Sequence, residues 1–186
     1  MGGKKQYTVI ALLFALLFFF GCEEGGNSAA EKPAPAAYAA SAEAKGYVGA
    51  VGDPAVDFTL TTFSGETFSL SGALGAPVVI NLWASWCGPC KYEAPELQRS
   101  YESFKGSGVR FVGVALQDAE ENSRDFIEHF GWTFPSGPDS TGEIMTAYRA
   151  MAIPMTYIVD GTGTVSYIHV GAISEVTLKR ELERLL

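Results

Sequence analysis

The chain has 186 residues, 47% of them hydrophobic and 18% charged, enough for one domain with a real core plus extensions. Three cysteines are too few for a small disulfide-stapled scaffold, which relies on several pairs. From Cys22 onward 11 basic residues stand against 21 acidic ones, which excludes the basic face a nucleic-acid partner requires.

Residues 1–21 have the layout of an export signal. Lys4 and Lys5 form a short positive region, followed by the apolar run from Tyr7 to Phe20. A bilayer span takes about 20 apolar residues, so this run is short for a permanent membrane helix and suits the apolar core of a signal peptide. The ending Phe19-Phe20-Gly21-Cys22 resembles a lipoprotein signal, in which a small residue precedes the cysteine that becomes lipidated. Phe19 departs from that pattern, which usually has an aliphatic residue there. The alternative is an uncleaved anchor with an incidental Cys22. Either way the domain is expected outside the cytoplasm, tied to a membrane. Residues 22–50, rich in Ala, Gly, Pro and Ser, show no sustained apolar period and are predicted to form a flexible tether.

The folded domain is expected over residues 51–186. Phe58-Thr59-Leu60 and Thr67-Phe68-Ser69-Leu70 alternate apolar with polar around the turn-like Ser64-Gly65-Glu66, a β-hairpin pattern. Pro77 to Trp83 is a short β-branched apolar run, as a buried central strand requires. The spacing of Leu97, Tyr101 and Phe104 predicts a helix over 87–104, with Pro95 kinking it. Val109 to Leu116 reads as a second buried strand. Ser123 to Phe130 reads as a short helix capped by Ser123 or Asn122 and stopped by Gly131. Residues 132–140, with Pro135 and Pro138, are expected to be a loop, and 141–150 another short helix. Met155–Val159 and Val165–Val170 read as strands joined by Asp160-Gly161-Thr162-Gly163, and a last helix follows Ser174. The order predicts an α/β fold with a sheet flanked by helices on both faces.

The chemistry sits in Trp86-Cys87-Gly88-Pro89-Cys90-Lys91, between the central strand and the first long helix. A structural zinc site needs four ligands, and the remaining candidates, His129 and His169, lack partners at ligand spacing. Lys91 in place of His excludes c-type haem attachment. No metal is therefore expected. Redox chemistry fits better. A helix N-terminus carries about half a positive charge, which favours the reactive thiolate. Two intervening residues bring a second thiol one turn away, in reach of a mixed disulfide. Pro89 suits the first turn, where its missing N–H would go unpaired anyway. An inert structural disulfide is the alternative, but so small a loop adds little by chain entropy.

Trp86 to Lys91 resembles the thioredoxin active site. Pro95 is similar to that family's helix-kinking proline, Ile153-Pro154-Met155-Thr156 to its cis-proline loop, and Gly171 to the glycine at the lip of its substrate groove. The resemblance runs from about Val51 to Leu186. Asn81 stands where cytoplasmic thioredoxins carry a buried acid, while Glu93 resembles the acidic residue of membrane-tethered TlpA/ResA-like proteins. The hairpin, the extra segment at 118–140 and the export signal are also shared with that group. The resemblance implies a thioredoxin fold with a central mixed sheet, an N-terminal hairpin extension and a βα-type insertion in the middle.

It further implies a thiol-disulfide oxidoreductase in which Cys87 attacks a substrate disulfide and Cys90 resolves it. Glu93 is expected to tune or shuttle the proton of the pair, or else to be a surface acid favoured by the helix dipole. Trp86, Gly88, Pro89, Ile153, Pro154 and Gly171 are expected to line the substrate groove, with Pro154 presenting backbone to an extended strand. No cofactor is expected beyond the Cys87–Cys90 disulfide. Expected partners are a protein disulfide such as apocytochrome c, a membrane thiol electron donor and the membrane itself. Two rivals stand beside this. The Asp57-Phe58-Thr59-Leu60 opening also resembles peroxiredoxin-like peroxidases, though no Thr-x-x-Cys arrangement accompanies it. The other rival is a thiol-dependent chaperone or metal carrier without catalysis.

Overall fold

The computed structural model describes residues 46–186, so the export signal, the lipidation of Cys22 and nearly all of the 22–50 tether lie outside the described residues. The elements run β1 (Thr59–Thr61), β2 (Thr67–Ser69), α1 (Leu70–Ala73), β3 (Val78–Trp83), α2 (Gly88–Phe104), β4 (Arg110–Ala115), α3 (Glu120–Phe130), β5 (Ser136–Pro138), α4 (Glu143–Ala147), β6 (Met155–Val159), β7 (Val165–Val170) and α5 (Glu175–Glu183). β1 and β2 form the expected antiparallel hairpin. The other five strands form one mixed sheet in the order β5-β4-β3-β6-β7. β3 pairs parallel with β4 and antiparallel with β6, which places it at the centre.

All six residues of β3 are buried. A strand covered on both faces cannot alternate with polar residues, hence the unbroken apolar run. Its alternate side chains feed two cores. Val78, Ile80 and Leu82 pack with Leu60, Leu70, Tyr148 and Tyr157 beneath the hairpin, α1 and α4. Val79 and Trp83 pack with Leu97, Phe126, Trp132 and Leu178 beneath α2, α3 and α5. This is the thioredoxin architecture, with α3 and β5 inserted between β4 and α4. Packing begins ahead of Val51: Val48 is buried, and its N–H donates to the Ala147 carbonyl at 2.7 Å.

α1 at Leu70–Ala73 is not expected from the sequence, α4 is shorter than the expected 141–150, and two further elements differ from the sequence-based expectation. α3 starts at Glu120 behind Ala119, which makes no side-chain cap, so neither Ser123 nor Asn122 caps it. The dipole is met instead by Glu120 and Glu121 in the first turn, and Ser123 turns its hydroxyl to Asp118 at 2.9 Å. Gly131 does close α3, at φ 64°, with its N–H on the Glu128 and Ile127 carbonyls. The helix α2 is continuous through Pro95.

The second difference is β5, expected as loop. Pro135, Gly137 and Pro138 erase any local strand pattern. The strand exists because Gly113–Ala115 of β4 offers a parallel ladder, and because Phe63 after β1 donates its N–H to the Ser136 carbonyl. Gly137 makes that fit possible: a Cβ there would lie 2.5 Å from Leu60 Cδ1 and 2.5 Å from the Thr61 carbonyl. Gly137→Ala is expected to lower unfolding free energy by about 1–3 kcal/mol through overpacking, read as a lower urea midpoint with unchanged slope.

Candidate active site

β3 ends at Trp83 and hands Ala84-Ser85-Trp86 to the start of α2. Cys87 is the N-cap residue in extended backbone, and its sulfur accepts the Cys90 N–H at 3.2 Å. Pro89 falls in the first turn, where no donor is missed. Cys87 and Cys90 are joined as a disulfide with Cα atoms 5.3 Å apart. Both are nearly covered, at 4% and 1% exposure, whereas Trp86 is 60% exposed and Gly88 and Pro89 lie at the surface. The accessible rim of the pair is therefore Trp86, Gly88 and Pro89.

The loop before Cys87 is held by the segment that follows the neighbouring strand β4. The Asp118 carboxylate accepts from the Ser85 N–H at 2.6 Å, the Ser85 hydroxyl at 2.8 Å and the Ser123 hydroxyl at 2.9 Å. The indole N–H of Trp86 donates to the Gln117 carbonyl at 3.1 Å, and Gln117 takes a left-handed φ of 48° to present it. Gln117 and Asp118 thus position the rim, and sequence reasoning missed both. One acid between a strand and a helix is too common to stand out. Asp118→Ala removes three hydrogen bonds from part-buried donors and is expected to destabilise the fold by about 2 kcal/mol, measured as a lower melting temperature, with Asp118→Asn milder.

The opposite wall is the Ile153–Pro154 turn, whose peptide bond is cis. The register Leu82↔Met155 brings it beside the end of β3, and Ile153 packs against the same apolar cluster as Cys87 and Cys90. The Pro154 carbonyl accepts the Gly171 N–H at 2.9 Å, which ties the two predicted groove residues together. That bond takes one acceptor position of the carbonyl, whereas the Ile153 backbone makes no hydrogen bond among the described residues. His129 lies against the Phe130 ring and His169 against Tyr167.

Glu93, one turn after Cys90, is 1% exposed. The alternative of a surface acid favoured by the dipole is overturned by that burial. Its Oε1 accepts from Asn81 Nδ2 at 2.8 Å and its Oε2 from the Ile173 N–H at 3.0 Å. Burial pushes the carboxyl up from 4.5 to about 7, against the opposing pull of the Ile173 N–H and the Asn81 amide. A carboxyl half-protonated near neutral pH, buried behind a cysteine pair, is suited to proton exchange. Asn81 also donates to Thr156 Oγ1 at 3.1 Å, its partner across the β3–β6 ladder.

Residues 51–168 match the AhpC/TSA family. Over 185 residues the chain is 31% identical to the thiol-disulfide oxidoreductase ResA of Geobacillus kaustophilus, covering 98% of each. Among solved structures it is similar to StoA from Bacillus subtilis, with TM-score 0.61 and 32% identity, covering 69% of this chain and 98% of that one. It is also similar to a thiol:disulfide interchange protein of the thioredoxin family from Chlorobium tepidum, with TM-score 0.67 and 26% identity, covering 74% of this chain and 99% of that one. The family match at residues 51–168 takes in β1 to β6, Cys87, Cys90 and Pro154. The chain accordingly belongs to the AhpC/TSA family, as a ResA-like thiol-disulfide oxidoreductase with the thioredoxin fold.

Proposed function

We propose that this oxidoreductase works outside the cytoplasm as a reductant of protein disulfides, held at a membrane through lipidated Cys22. The observation that carries the reading is the Cys87–Cys90 pair at the α2 N-terminus with buried Glu93 one turn behind it. In the reduced enzyme, the Cys87 thiolate attacks a substrate disulfide, forming a mixed disulfide and releasing one substrate thiolate. Cys90 then attacks Cys87 Sγ, closing the Cys87–Cys90 disulfide and releasing the second thiolate. Two electrons pass to the substrate, and Glu93 exchanges the proton of the resolving thiol. Ile153 pairs with an extended substrate segment across the groove from Trp86, with Pro154 and Gly171 holding its backbone in place. A membrane thiol donor returns the two electrons, and the disulfide itself is the whole redox apparatus, with no cofactor or metal.

An apocytochrome c disulfide awaiting haem is the substrate class that suits such a reductant. The test is the reduction potential of Cys87–Cys90, equilibrated against a thiol buffer. A value near about −270 mV supports a reductant, and one near about −120 mV makes the enzyme an oxidant and ends this reading. The peroxidase alternative leans on Asp57 to Leu60, but that opening has structural work here. Asp57 Oδ1 accepts the Ser71 N–H at 2.9 Å, and Phe58 packs against the core.

A further inference from the structure

Asn81 is 1% exposed, and its carbonyl Oδ1 has no hydrogen-bond partner. Both amide hydrogens are engaged, one by Glu93 Oε1 at 2.8 Å and one by Thr156 Oγ1 at 3.1 Å. Each Glu93 oxygen therefore faces a donor, Asn81 Nδ2 or the Ile173 N–H. That arrangement fits the ionised carboxylate and conflicts with the protonated one, whose O–H would point at another N–H. The Ile173 donor is backbone and cannot reverse. The Asn81 amide can, because a half-turn about Cβ–Cγ exchanges Nδ2 for Oδ1 in the same place. Thr156 fits either orientation, since its hydroxyl both donates and accepts.

We propose that Asn81 is a positioning residue that reverses its amide whenever Glu93 gains or loses its proton, with the Thr156 hydroxyl reversing in step. With Glu93 ionised, Nδ2 donates to Glu93 and to Thr156. With Glu93 protonated, Oδ1 accepts from the Glu93 O–H and the Thr156 O–H. No bond of the bridge is lost in either state. One buried polar atom of Asn81 is unpartnered in each, Oδ1 in the first and Nδ2 in the second, so a comparable penalty falls on both. The idea deepens the reading of Glu93 as the proton-exchanging group of the cysteine pair.

Among the described residues, no charged side chain other than Glu93 is bonded to this network. On α2 itself, Glu96 is engaged with Arg99 and with the Glu175 N–H, and Lys91 is exposed. At the start of α5, Glu175 pairs with Arg99 at 2.9 Å. On β7, His169 bonds the Ala172 carbonyl and Tyr167. β3 and β6 bring only Asn81 and Thr156 to it.

The test is carboxyl and side-chain amide NMR on the oxidised full chain without substrate, from about pH 5 to about pH 9. The readout then stands or falls separately from the proposed reductase cycle. The Asn81 amide resonances are expected to move with the Glu93 carboxyl midpoint. Thr156→Val strands a further amide hydrogen in the ionised state, while in the protonated state Oδ1 keeps the Glu93 O–H, so the variant should raise Glu93 proton affinity roughly tenfold. Thr156→Ser should restore the wild-type midpoint. In Glu93→Gln the new amide donates to Asn81 Oδ1, so Asn81 should show its low-pH resonances at every pH. Asn81 signals that ignore the Glu93 titration, a wild-type midpoint in Thr156→Val, or a Glu93 that does not titrate in this range would each overturn the proposal. A merely structural Thr156 would change stability and leave the midpoint alone.

Discussion

Cys87→Ser is expected to bring disulfide reduction down to the uncatalysed level. A serine hydroxyl stays protonated where the thiol ionises, even with the α2 dipole behind it, and so offers no nucleophile to a disulfide. Cys90 is not expected to substitute, since it lies inside α2 at 1% exposure whereas Cys87 caps the helix. Turnover of insulin disulfides with a thiol donor measures this directly, and a variant that keeps even a tenth of the activity (roughly 1.4 kcal/mol of barrier) contradicts the assignment of Cys87 as nucleophile. Cys90→Ser gives the complementary result. The first attack is intact and resolution is lost, so a mixed disulfide with substrate should accumulate and be visible by mass spectrometry.

Glu93→Gln is expected to make the protein more stable at alkaline pH. The folded chain holds the Glu93 proton up to about pH 7, whereas the unfolded chain releases it near 4.5. Where the folded state binds more protons, stability falls as pH rises. The contribution of this carboxyl is therefore fully present below 4.5 and lost as pH climbs through 7. Above that, an ionised carboxylate remains buried, at a cost on the order of 3 kcal/mol. Glutamine carries no charge to bury. Urea denaturation at acid and alkaline pH should show a gap between variant and wild type that opens across this interval and is largest above about pH 8. A gap independent of pH contradicts the protonation of buried Glu93. The same variant should lose any activity transition near neutral pH that belongs to this group.

Local pattern was a good guide wherever one element carried its own reason for existing. Val78–Trp83 is apolar throughout because a central strand is covered on both faces, and the strand lies there. Gly88-Pro89 after Cys87 marks a helix start because proline suits the first turn, where no backbone donor is missed, and α2 begins at Gly88. The hairpin at Ser64–Glu66 and the Ser174 cap of α5 were legible for the same reason. Ser136–Pro138 was not, since its strand character comes from Gly113–Ala115 and Phe63, and nothing in its own composition asks for pairing. Ser123 misled because a good cap residue is also a good hydrogen-bond donor, and Asp118 claimed it.

For the site, the sequence alone determined the cysteine pair and its place at the start of α2. Its spacing, the glycine and proline inside it and the helix behind it are consecutive residues, and short-range geometry brings them together without help from the fold. Only the tertiary structure decided what surrounds the pair. Asp118 holds Ser85 from 33 residues away, and Glu93 is a buried carboxyl with its pKa pushed up to about 7 because β3 and the segment at Ile173 close over it. Burial and long-range donors belong to no single segment. They arise when separate elements remove the same group from water, which changes the chemistry of Glu93 without changing a residue near it.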